Sequence, residues 1–170
     1  MKNGYIHRCG KVLGGIKNIL LTEKSNIRSL KHDPRTGNYT DISFVDPGRV
    51  ACCTFAEGSV SYQEDLQARN GIVSVDHALE FITDKMDEES GNLLRGLVKA
   101  SYSGLVAIVT TRNDVRLLIG YSEENRDERP LRITRSTASS GKKHTDPAGE
   151  TIVLHSCDTA KARIFSGSIG

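Results

Sequence analysis

Between Ser59 and Tyr121 the apolar positions of this chain follow two rhythms in turn. Val60, Tyr62, Leu66 and Ala68 keep a period of two with the polar Glu64 in phase between them, and Val73, Val75, His77, Leu79 and Phe81 keep the same period on the next segment. A period of two puts alternate side chains on one face of a strand, so each segment predicts a strand with one dry and one wet face. Arg69-Asn70-Gly71 lies between them and tolerates the positive backbone dihedrals of a tight turn. The pair therefore predicts a hairpin whose strands run to about ten residues, beyond the common five to six. The rhythm then changes, with Leu93, Leu94, Leu97, Val98 and Tyr102 at helical spacing behind Asp87-Glu88-Glu89-Ser90. Carboxylates favour a helix N-terminus, and the pattern predicts a helix from Asp87 to Tyr102 that ends near Ser103-Gly104. Leu105 to Thr111 and Val115 to Tyr121, joined through Asn113-Asp114, are almost continuously apolar, as strands buried on both faces are. Leu93, Leu97, Val106, Ile108, Leu117 and Ile119 are expected to be buried where this helix meets the sheet.

The flanking regions are less regular. Short strands are expected at Ile16 to Leu21, Tyr39 to Val45, Arg49 to Phe55, Leu131 to Arg135, Thr151 to His155 and Ala162 to Phe165. From Thr22 to Gly48 the chain is polar and basic, with turn signals at Asp33-Pro34, Thr36-Gly37 and Asp46-Pro47-Gly48. So little apolar content predicts an extended arm or loop over 22–49, either a surface loop or ragged hairpin, or a segment ordered by lying on a neighbouring subunit. A second long polar loop is expected over 136–149. The fold class expected is mainly β with one flanking α-helix, an antiparallel β-sandwich or barrel, and 170 residues suit one β-rich domain.

Charge changes this picture in one respect. The net formal charge is only +2, yet residues 1–49 carry nine Lys and Arg against four Asp and Glu, while residues 50–100 carry four against nine. Basic and acidic regions of one chain attract when two copies meet, and they also keep a protein soluble. Arg28, Lys31, Arg35 and Tyr39 in the arm, with Lys142 and Lys143 in the second loop, are the candidate subunit contacts. No apolar run approaches the roughly 20 residues that span a bilayer, and the N-terminus lacks a hydrophobic segment of signal-peptide type, so no membrane contact is expected. The four cysteines form no spaced framework and are expected as free thiols, with one of Cys52 and Cys53 turned inward.

Catalytic signatures are missing. Gly10 to Gly15 lacks the spacing and closing Lys-Ser/Thr of a phosphate-binding loop, and no CxxC pair, HExxH or GxSxG occurs. The single metal-like pattern is His7-Arg8-Cys9 with His155-Ser156-Cys157: residues i and i+2 share a strand face, so two such strands side by side would offer a Cys2His2 set. The bland reading, unrelated residues near the two chain ends, is preferred, and no metal or cofactor is expected. Ser139 or Ser140 with His144 and Asp146 would be a triad confined to one loop, without the support that holds a base against a nucleophile. Four Phe, five Tyr and no Trp leave little for base stacking or sugar binding, although basic loops allow non-specific contact with DNA.

The order of these elements resembles that of tail-tube-type structural proteins of tailed bacteriophages and prophages. The residues that carry the likeness are Gly58-Ser59-Val60-Ser61-Tyr62, Asn70-Gly71 and the alternating strand through His77, Leu79 and Phe81. The helix Asp87 to Tyr102, the strands from Leu105 to Tyr121 and the Ser139-Ser140-Gly141...Asp146...Gly149 loop add to it. The likeness spans Gly58 to Phe165, and the basic N-terminal third departs from a typical tube subunit. It implies a non-enzymatic virion protein, made in the cytoplasm of a host bacterium, that forms a ring or tube with other tail or connector proteins while DNA passes through the lumen. Head-tail connector and tail terminator rings share that architecture. The alternative is a monomeric β-sandwich binding module for a host protein or carbohydrate, which the scarcity of aromatic residues disfavours.

Overall fold

The computed structural model describes residues 14–83, 87–122, 129–141 and 148–169. The chain is mainly β with one helix, and its strands form two sheets. In chain order these are β1 (Ile16–Glu23), β2 (Ile27–His32), β3 (Tyr39–Phe44), β4 (Ala51–Thr54), β5 (Val60–Arg69), β6 (Ile72–Thr83), α1 (Glu88–Ser103), β7 (Leu105–Thr111), β8 (Arg116–Ile119), β9 (Arg132–Ser139), β10 (Gly149–Asp158) and β11 (Arg163–Ile169). One sheet runs β2-β3-β11-β8-β7-β1-β4 and the other β5-β6-β10-β9. All the ladders are antiparallel except β3 with β11, which is parallel.

The two sheets pack face to face over one apolar cluster. Ile19 and Leu21 of β1, Leu79 and Phe81 of β6, Leu105, Ala107 and Val109 of β7 and Ile152 and Leu154 of β10 all contribute, and Leu97 and Ala100 of α1 close it. The helix begins where its sequence says it should: Asp87 accepts from the Ser90 amide at 2.9 Å while Ser90 Oγ accepts from the Asp87 amide at 3.1 Å, a reciprocal cap. Its buried stripe is Leu93, Leu94, Leu97 and Ala100, packed against β1 and β9. Val98 and Tyr102, expected on that stripe, face solvent, Tyr102 with 80% of its surface exposed. The helix lies along the side of the sandwich, so only one narrow face is covered.

The second apolar cluster occupies the other face of the large sheet. Ile42 and Phe44 of β3, Val106 and Ile108 of β7, Leu118 of β8 and Phe165 of β11 form it, with Leu20, Ile27 and Leu30 packed on them. Val106 and Ile108 were expected under the helix and instead point away from it, because successive residues of β7 face opposite sides. Leu117 is only half-buried. Curvature explains how this face is covered. β1 and β2 are five strand spacings apart, about 24 Å in a flat sheet, yet only Lys24–Asn26 joins them, a link that reaches about 14 Å when fully extended. The sheet therefore curls, without closing into a barrel, until its β2 edge comes back toward β1.

Within residues 22–49, expected as an arm, a loop or a ragged hairpin with a strand over Tyr39 to Val45, β2 and β3 form a hairpin of this curl, with Tyr39, Ile42 and Phe44 buried. At the root of this hairpin the buried side chain of Asn26 joins β1 to the chain leaving β3: its Nδ2 donates to the Thr22 hydroxyl at 3.0 Å and to the Asp46 carbonyl at 2.9 Å, and its Oδ1 accepts from the Asp46 amide at 2.9 Å. Gly167 marks the tight parallel contact, since a Cβ there would lie 1.6 Å from the Thr40 carbonyl oxygen. The polar loop expected over 136–149 is shorter than thought, because β9 continues through Ser139 and pairs with β10 up to Gly149.

Candidate functional site

The β5–β6 hairpin is the longest paired element, matched from Val60↔Phe81 to Arg69↔Ile72. Asn70 and Gly71 close it with φ of 51° and 78°, the paired positive values that the Asn-Gly sequence predicts. Its inner face is dry where it lies over the sandwich, with Val75, Leu79 and Phe81 fully buried. The tip differs. β10 pairs with β6 only from Val75 onward, so the rungs from Gln67↔Ser74 to Arg69↔Ile72 extend past β10 as a two-stranded ribbon. Val73 carries the apolar inner face onto this overhang from Leu66 at its base, and Ile72 points to the opposite side; Leu66, Val73 and Ile72 have 48%, 40% and 74% of their surfaces exposed. On its other side β5 has no strand partner among the described residues, which leaves an open ten-residue edge.

Midway along the hairpin the dry face turns polar. Glu64 Oε1 accepts from the Tyr62 hydroxyl at 2.7 Å and from the Ala162 amide at 2.8 Å, and Lys161 Nζ lies 3.8 Å from Oε2. Buried His77 lies 2.8 Å from the Tyr62 hydroxyl through Nδ1, and its Nε2 donates to the Ala160 carbonyl at 3.2 Å. The hydroxyl proton serves Glu64 or His77, one at a time. Burial, then the hydrogen bond to Glu64 and the charge of that carboxylate, push the Tyr62 hydroxyl well above its ordinary range. A neighbouring cleft of about 20 Å³, lined by His77, Tyr121, Asp158 and Arg163 among others, has room for a water molecule. These contacts fasten the turn before β11 to the hairpin and thereby couple the two sheets. Sequence reading had placed Tyr62, Glu64 and His77 in phase with the dry face; their convergence with residues 160–162 is a tertiary contact that no local pattern announces.

A groove opens on the side of the sandwich where β4 forms the other edge of the large sheet. Ala51, Cys53, Phe55, Ile82 and Leu93 supply an apolar floor, Asp87 and Glu89 stand at its helix end, and its volume is about 470 Å³. Cys52 is exposed on β4 while Cys53 is turned inward, its thiol pushed up by burial and then by Cys52. One of the two cysteines is thus turned inward, as the strand pattern had predicted.

The residues singled out from the sequence do not form one surface. Arg28, Lys31 and Arg35 are exposed on β2 and the following turn, with Lys31 paired to Asp41 at 3.0 Å. Tyr39 is the correction: it is buried in the curled sheet, its ring edge-on to Tyr121 at 6.2 Å, and offers no surface for a neighbour. Lys142, Lys143, His144 and Asp146 lie outside the described residues, as do His7 and Cys9. His155 and Cys157 share the outer face of β10, where His155 Nε2 is 3.5 Å from Asp76 Oδ1. Partial desolvation, then the Asp76 charge and a hydrogen bond to it, push the Cys157 thiol up. Among the described residues no three His, Cys, Asp or Glu side chains are grouped to hold a metal ion. No described helix is long and apolar enough to cross a membrane. In comparison with known proteins, the chain matches no family model and no curated relative.

Proposed function

We propose that this chain is a non-enzymatic structural subunit that assembles with copies of itself into a ring or tube, in the manner of the tail-tube-type virion proteins it resembles. The observation that carries the reading is the β5–β6 overhang. Val73 and Ile72 are large apolar side chains displayed on opposite faces of the ribbon beyond β10, with exposed Leu66 at its base, on a strand whose other edge has no strand partner among the described residues. Soluble monomers protect such edges and avoid clustering exposed apolar residues, so their combination favours burial in an assembly. The acidic 50–100 region and the basic 1–49 region give unlike charges for copies to match. A lumen that passes DNA, and neighbours from a tail or connector, belong to this proposal through the resemblance.

Native mass measurement and electron microscopy of the purified chain test it. Discrete multimers or annular particles are expected. A species that stays monomeric at the highest attainable concentration, with no particles in the images, would refute the proposal and return the monomeric binding module to first place.

A further inference from the structure

The molecule carries an apolar knob and an apolar groove at opposite ends of one strand. The knob is the hairpin tip, with Ile72 at the start of β6. The groove includes Ile82 and Thr83, at the end of β6. Twelve residues of strand separate the two features by about 36 Å, and both strands of the hairpin belong to a packed sheet. A chain cannot bend its own tip into its own groove. We propose that the tip of one copy seats in the groove of the next, a head-to-tail contact between two copies of this chain; the proposal rests on the reading that the chain self-assembles and names the surfaces through which it does so.

Three observations select a second copy as the occupant. The apolar parts match in kind: Ile72, the most exposed apolar side chain of the tip, meets a floor of Ala51, Cys53, Phe55 and Leu93. The charges match in sign, because Arg69 pairs with Ile72 in the hairpin register and shares its face, while Asp87 and Glu89 stand at the helix end of the groove. The backbone matches too. β4 is hydrogen-bonded only to β1 among the described residues, so its free side accepts an added strand from the incoming hairpin. A contact between two different surfaces of the same chain is heterologous, and repeating it generates rings when the rotation closes and tubes or filaments when it does not.

Cys52, exposed on β4 in the groove, gives a direct test. In the full chain carrying Ile72→Cys, oxidised glutathione should join position 72 to Cys52 of another copy, seen as a ladder of dimers and higher species whose linked peptides are read by mass spectrometry. Cys52→Ser in the same background should abolish the ladder. In parallel, Ile72→Asp, a change at an exposed position, should weaken self-association by at least about tenfold. Links to Cys157 in place of Cys52, or Ile72→Asp chains that assemble as well as the parent, overturn this contact and leave the structural-subunit reading standing. A parent chain that is monomeric and forms no crosslink overturns both.

Discussion

The two apolar clusters of this molecule are sealed by different means. The cluster between the sheets is sealed by more of the same material: strands above and below, with α1 lying across the gap and Phe81, Leu79 and Ile152 fully buried at its centre. The cluster inside the curl is built with equally buried residues, Phe165, Ile42 and Leu118, but its wall is incomplete. Polar groups finish it. Asn26 ties Thr22 of β1 to Asp46 just past β3, and Arg116 lies 5.0 Å over the Phe165 ring while donating to the Gly167 carbonyl at 2.7 Å. A two-layer sandwich closes by packing alone, whereas a single sheet that curls on itself must satisfy the backbone groups at its open seam, and this chain does so with side chains.

If both clusters are cores in the same sense, the largest effect is shared. Phe81→Ala and Phe165→Ala should each lower stability by about 3–5 kcal/mol in denaturant titrations. A Phe165→Ala loss below about 1 kcal/mol would mean that the curled half is a loosely attached flap, and the equivalence would fail. The seam separates the halves more finely. Asn26→Ala leaves the Asp46 amide without its partner, while the Asp46 carbonyl keeps the Arg49 amide at 3.1 Å, and should cost about 1–3 kcal/mol, although it removes almost no apolar area. An unchanged unfolding midpoint would show that water fills the opening equally well.

The smallest effect lies at the junction of the two halves. Tyr62 keeps its proton in the fold to higher pH than in the unfolded chain, so its contribution is complete below its ordinary value and declines as pH rises past it. Stability should fall by about 1.4 kcal/mol per pH unit above about pH 10 through this one group. Tyr62→Phe should remove that part of the alkaline slope, so that the parent's advantage over the variant shrinks between about pH 8 and about pH 11. An advantage that stays constant across this interval would show that the hydroxyl is not held in its neutral form by the fold.

Much of the hairpin and helix was legible from residues close in the chain. Asn70-Gly71 determined the turn because its backbone states are local, the alternation through Phe81 determined the dry face, and Asp87 and Ser90 determined where α1 begins. Three features were less legible. The strand over Tyr39 to Val45 was expected, but β3 also buries Tyr39, a spacing that breaks the period of two of Ile42 and Phe44, and its pairing with β2 shifts register twice; its other neighbour, β11, lies at the far end of the chain. β9 is exposed along nearly its whole length and is held as a strand by its ladder to β10, so no apolar pattern marked it past Arg135. On β7 the sequence determined that both faces are buried, while only the curl of the large sheet decided that Val106 and Ile108 face away from the helix. Turns, caps and face alternation depend on neighbours a few residues away, and a chain writes them directly into its order of residues. Which strand a segment pairs with, and which side of a sheet another layer covers, are settled by contacts between distant parts of the chain, because burial and hydrogen-bond completion are properties of the whole packed structure.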